Sequence, residues 1–167
     1  MHRRRSSGQA LVEFSLIIPI FLVMLMGVVD VGRAIWAQNS LAAAVREGGR
    51  FAIVHGGSAT TACPAGPPIP GVTIIPVGVA SCPYPSPSTQ AVKDAVIAAA
   101  NAGGTGLTVT VCYGADCSGD VNAVGATNTR GTPVTVAVTS RINLITPSLL
   151  GMSGFGISSA TTMVVNH

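Results

Sequence analysis

Charge is what this sequence has least of: 9% of its 167 residues are Asp, Glu, Lys or Arg, and six of those are acids. Only Asp94, Asp116 and Asp120 follow Gly56, which leaves little material for the paired carboxylates of acid/base catalysis. Histidine is equally sparse. His2, His55 and His167 are scattered, two of them at the termini, and none is paired in sequence with a plausible nucleophile. The stretch Gly151 to Phe155 resembles a nucleophile elbow but carries Phe155 where the last glycine belongs. Gly103 to Gly106 lacks the spacing of a dinucleotide or phosphate loop. These scarcities argue against an enzyme and imply no cofactor. A basic footprint for nucleic acid is missing too: the formal charge of +3 is accounted for by Arg3, Arg4 and Arg5, and from Gly56 onward Lys93, Arg130 and Arg141 balance the three acids.

What the chain has instead is hydrophobicity, 48% by residue, concentrated in Gly8 to Val29. No charge interrupts Phe14 to Val29, and with Ala10 to Val12 the segment reaches about the 20 residues that a helix needs to cross a bilayer. Arg3, Arg4 and Arg5 before it read as a topology signal that holds the N-terminus in the cytoplasm and sends the rest outward. Glu13, just inside the run, is the anomaly, because an acid within a membrane span costs about 2.5–3.5 kcal/mol and asks for a partner or a purpose. Pro19 removes one backbone hydrogen bond and predicts a bend. A cleaved signal peptide fits poorly, since the run is long and is followed by Asp30, Gly32 and Arg33 rather than a small-x-small site. A plain one-pass anchor explains the run and the arginines but leaves Glu13 without a role.

The helical pattern continues past the span. Ala34, Leu41, Val45, Gly48 and Ala52 recur at helical spacings among polar residues, so one long helix is expected from Gln9 to about Val54. Gly48 and Gly49 weaken it by about 1 kcal/mol each unless another backbone packs closely there. The expected divisions are a basic leader over 1–8, a transmembrane helix over 9–31, its amphipathic continuation over 32–55, a Pro/Gly/Cys-rich loop over 56–89 and a folded part over 90–167.

Cys63, Cys82, Cys112 and Cys117 all fall in the part predicted to lie outside, where an even count reads as disulfides. Of the three possible pairings the local ones, Cys63 with Cys82 and Cys112 with Cys117, are preferred because each brackets a short turn-rich loop. Zinc is disfavoured by the missing CxxC spacing and the lack of a nearby histidine, and no metal is called for. Val72 to Val79 is β-branched enough for an edge strand, although Pro76 excludes a central one. Ser88 or Thr89 can cap a helix over Gln90 to Asn101. Period-two alternation marks strands over Leu107 to Tyr113, Thr132 to Ile142 and Gly156 to Asn166, with Leu144 to Leu150 an apolar connection broken by Pro147. The expected class is α+β: a long N-terminal helix, a second short one and a small antiparallel sheet of about three strands.

The stretch from Arg3 to Trp36, with the continuation LAAAVREGGRFA, resembles the TadE-like family of minor pilins or pseudopilins in tight-adherence (Tad, type IVc) pilus systems. The ending VTVAVTSRINLITPSLLG is similar to the family's as well. The resemblance implies a pilin-like fold and cleavage by a prepilin peptidase between Gly8 and Gln9, which puts Glu13 at the fifth mature position and Phe14 at the sixth. It implies a single-pass precursor in the inner membrane, with its C-terminal domain extracytoplasmic and the mature form in a surface pilus. Its partners would be the peptidase, other Tad pilins or pseudopilins, the inner-membrane assembly platform and lipid. Independently of the family, cleavage would create an amine at the start of a lipid-embedded helix, and a neighbour's carboxylate one turn deeper would relieve both desolvation costs. Two competing readings stay open: a bitopic protein with a disulfide-stapled binding domain, and a secreted module released by signal peptidase.

Overall fold

A computed structural model describes residues 6–57, 64–67, 88–100, 105–116, 118–120, 122–149, 151 and 153–166. Helix α1 runs unbroken over Ser6–Val54, with Pro19 inside it. Helix α2 spans Gln90–Ala99, strands β1 and β2 span Thr105–Tyr113 and Pro133–Ile142, helix α3 spans Ile145–Leu149, and strand β3 spans Phe155–Val164. The class is α+β, as the periodicities imply. The expected strand over Val72 to Val79 lies outside the described residues, as do Arg3, Arg4 and Arg5, Cys63, Cys82 and Cys117.

Strands β1, β2 and β3 form an antiparallel meander in sequence order. On the central strand Val134, Val136, Val138, Ser140 and Ile142 are buried and alternate with more exposed residues, the half-buried face that its period-two pattern requires. Register pairs Val109, Val111 and Tyr113 with Val138, Val136 and Val134, so β1 adds its apolar side chains to the same face. Tyr113 is fully enclosed there, and burial pushes its phenol pKa up. The opposite face is small and polar, with Thr135 and Thr162 directly across from one another and their hydroxyls 2.9 Å apart.

The C-terminal half of α1 lies across the apolar face. Ala37, Leu41, Ala44, Val45 and Ala52 are buried, forming one stripe at helical spacing, and all but Ala37 join Val92, Val96 and the sheet valines in a single core. Gly48 is required by contact: a Cβ there would stand 2.2 Å from Val96 Cγ2 and 3.5 Å from the Val92 carbonyl oxygen. The glycines that looked like weak points are where α2 and β3 approach α1 most closely, since a Cβ on Gly49 would meet Met163 Sδ at 3.0 Å. At the start of α2 it is Ser88 that caps, its Oγ accepting from the Gln90 N–H at 3.1 Å, while the Thr89 side chain makes no capping bond.

The far end of the domain is held by Asn128. It is fully buried, its carbonyl accepts from Gly57 N at 2.8 Å and its Nδ2 donates to the Ala65 carbonyl at 3.0 Å. The outer edge of β1 is closed by the loop that follows it. Asp120 Oδ1 accepts from Val111 N at 3.1 Å and Asn122 Oδ1 from Tyr113 N at 2.9 Å, so two side chains take the place of a fourth strand and shield an edge that would otherwise pair with another chain. Gly114, with φ of 106° and no room for a Cβ beside Ala123, makes the reversal.

Candidate functional site on the N-terminal helix

The residues singled out by sequence fall into three places. Gly8, Gln9, Glu13 and Phe14 sit on the first turns of α1 in open surroundings: nothing approaches within 4 Å of where a Gly8 Cβ would be, and Phe14 is 61% exposed. Helix α1 is described from Ser6, so the Gly8–Gln9 bond lies within helix rather than ahead of it, near the N-terminal limit of the described residues. Gln9 Nε2 donates to Glu13 Oε1 at 3.2 Å, as i and i+4 neighbours on one face do. Glu13 thus has a partner one turn toward the N-terminus. Cys112, in the second place, is buried on β1 and disulfide-bonded; its partner lies outside the described residues. His55, in the third, ends α1 with its ring stacked on Phe51 at 4.0 Å and Nδ1 2.9 Å from the Phe51 carbonyl, a structural position. No cluster of three metal-ligating side chains occurs among the described residues.

From Leu11 to Val31 the large apolar side chains point outward, with Leu11, Leu16, Ile17, Ile20, Met24 and Val28 each more than 60% exposed. The best window has mean hydropathy 2.5 and none of it is buried against the rest of the chain. By length and composition α1 can cross a membrane. A surface of this extent is not left in water by a folded protein and calls for lipid or another apolar partner.

Sequence reasoning missed Asp30. It read this acid only as the end of the apolar run and Pro147 as a break, whereas the structure joins the two regions. Residues 145–149 are a short helix, and Asp30 caps it across the chain: its Oδ1 accepts from Ile145 N at 3.0 Å and its Oδ2 from Thr146 N at 2.6 Å. Pro147 has no N–H to satisfy and is tolerated in a first turn, and Ser148 N reaches the Leu144 carbonyl at 3.3 Å. Every backbone N–H in the first turn of α3 is therefore accounted for. Asp30 is 3% exposed, with Arg33 Nη1 at 3.8 Å. The available signal was positional: an acid at the boundary of a span needs a donor, and a Thr-Pro dipeptide can begin a helix as well as end one.

The sequence model of the TadE-like protein family matches residues 8–50. Over these residues α1 is similar to the TadE-like family. The match covers most of α1 and stops before the sheet domain; it includes Glu13 and the VREGGR segment that carry the resemblance, but begins after Arg3 to Ser7. The TadE-like family is a structural one, associated with Tad pili, and an apolar N-terminal helix fits a membrane anchor in such a system. Among curated proteins and solved structures nothing matches the chain.

Proposed function

We propose that this TadE-like protein is a minor pilin or pseudopilin of a Tad pilus, made as a single-pass inner-membrane precursor. Arg3, Arg4 and Arg5 keep its N-terminus cytoplasmic, and the sheet domain is extracytoplasmic, where Cys63, Cys82, Cys112 and Cys117 pair locally. A prepilin peptidase cuts between Gly8 and Gln9, at a site that the open first turn of α1 leaves accessible. The mature helix then leaves lipid for a bundle with other pilins at the assembly platform.

The observation that carries this reading is the outward-facing apolar half of α1 with one acid near its start. In a bundle staggered by about one turn, Glu13 meets the new amine of a neighbour's Gln9, and the two charges are desolvated together rather than singly. Within one chain the Gln9 side-chain amide reaches the Glu13 carboxylate, so residue 9 and Glu13 share a helix face. Phe14, beside them, supplies packing area.

The test is Glu13→Leu expressed in place of the wild type. Retained membrane insertion with failed co-purification of the partner pilins is expected. Undiminished assembly would favour a bitopic binding protein, for which Glu13 has no role.

A further inference from the structure

We propose that α3 and the strand ends beside it form a second membrane contact, an apolar seat with a cationic rim that rests in the headgroup region of the anionic phospholipid bilayer spanned by α1. The proposal rests on α1 being a span, and it assigns to the sheet domain a fixed seating on the lipid surface.

Height along the helix is the first ground. Two hydrogen bonds lock α3 to Asp30, directly after the uncharged run that ends at Val29. The flanks of α3 reach lower still: one groove is lined by Met26 with Leu144 and Ile145, and another by Gly27 and Val31 with Leu144 and Pro147. Met26 and Gly27 belong to the apolar run itself. When the run fills the hydrocarbon, α3 is carried into the interface with it.

Surface chemistry is the second. The groove between α1 and α3, about 330 Å³, is almost wholly apolar. Ile35 lines it and is 58% exposed, Ile145 lines the neighbouring groove and is 48% exposed, and Trp36, next to Ile35 on α1, and Phe155, paired with Ile142, are 56% and 51% exposed. Tryptophan is favoured at headgroup level, where its ring is apolar and its N–H stays wet. Because Asp30 satisfies the first-turn donors of α3, seating this helix in the interface strands no N–H there.

Charge is the third. The domain end that faces the span carries Arg33 and Arg141, both exposed, and Arg141 has no carboxylate partner among the described residues. The exposed acids lie elsewhere: Glu13 at the opposite end of the apolar run, Glu47 higher on α1, Asp94 on α2, and Asp116 and Asp120 on the loop beyond the far end of β1. A basic rim around an apolar floor is complementary to lipid phosphates over acyl chains. A second copy of this chain has no comparable feature favouring it at this place.

The full chain is reconstituted in phosphatidylglycerol–phosphatidylcholine vesicles, with its only tryptophan replaced (Trp36→Phe) and a reporter introduced by Ile145→Trp. At low protein density the reporter is expected to lose about half its emission to lipids brominated on the acyl chains and to resist acrylamide. Val124→Trp, at a fully exposed site at the far end of the domain, should show the reverse. Acrylamide access at 145 in a chain that stays inserted would overturn the seat alone, as would shielding that appears only at high protein density, which would assign the surface to a second copy. Shielding unchanged without phosphatidylglycerol would overturn the cationic rim. Extraction of the chain by alkali would remove the span reading and this proposal together.

Discussion

The two halves of α1 are one helix with opposite surroundings. From Leu11 to Val31 the apolar side chains face outward on all sides, whereas from Ala37 to Ala52 only one stripe is apolar, and it is buried against β2, β3 and α2. A helix hydrophobic all round requires an apolar medium, and one hydrophobic along a stripe requires a single packing partner. Backbone hydrogen bonding is shared by both halves, so what differs is where stability comes from. The distal half contributes to the fold of the domain. The proximal half touches that fold only at its end, where Asp30 caps α3 and Met26, Gly27 and Val31 line the grooves beside it, and the rest of its apolar surface is open to lipid or another apolar partner.

Substitutions matched across the halves put this difference at risk. Leu41→Ala, at a fully buried position, is expected to destabilise the sheet domain by about 2–5 kcal/mol, while Leu16→Ala, 67% exposed in the structure, should leave chemical unfolding of the domain in detergent unchanged. Equal losses would mean that the apolar half supports the fold after all. Gly48→Val forces side-chain atoms onto Val96 and is expected to cost about 1–3 kcal/mol, partly recovered when combined with Val96→Ala. Gly27→Ala, with open space around it, should be neutral or raise helix stability by about 1 kcal/mol.

The junction of the halves gives a more local effect. Asp30→Ala should speed hydrogen exchange at the Ile145 and Thr146 amides while leaving β2 protection intact, since it removes their acceptors and no core contact. Slower exchange, or a loss spread over the whole sheet, would refute the capping role.

The smallest effect belongs to the far end. Partial desolvation opposes ionisation of Asp120 most strongly, but the Lys93 ammonium and the Val111 N–H together outweigh it and hold the carboxyl below its ordinary range. A depressed folded value means that the contribution is present above the unfolded pKa of about 3.9 and lost as pH falls through the folded one. Because Asp120 is half exposed, acid unfolding of Asp120→Asn should differ from wild type by no more than about 0.5 kcal/mol.

Much of this was legible in the sequence because it is periodic. Alternation placed β2 within a residue of its limits, and helical spacing ran α1 to Val54 as observed. The stripe was drawn through Ala34, which is only half-buried, and omitted Ala37 and Ala44, since small residues carry a weak hydrophobic signal. What stayed hidden was non-local. The Asp30 bonds to α3 cross more than a hundred residues, and the closure of the β1 edge by Asp120 and Asn122 depends on a loop reversal at Gly114 that no alternation announces. Pro147 misled because the same residue ends one helix and begins another. The proposed processing and assembly residues rest on their order along the chain, since a leader, a glycine and an acid at fixed spacing are sequence features before they are structural ones.

The central claim is that the exposed half of α1 begins, in the working protein, at Gln9. Mass spectrometry of the protein purified from membranes and from sheared surface fibres tests it most directly. The predicted result is a chain starting at Gln9, as the free glutamine or its cyclised form, in cells with the prepilin peptidase and at Met1 in cells lacking it. An intact Met1 in both, or an N-terminus near Ala37, would contradict the account.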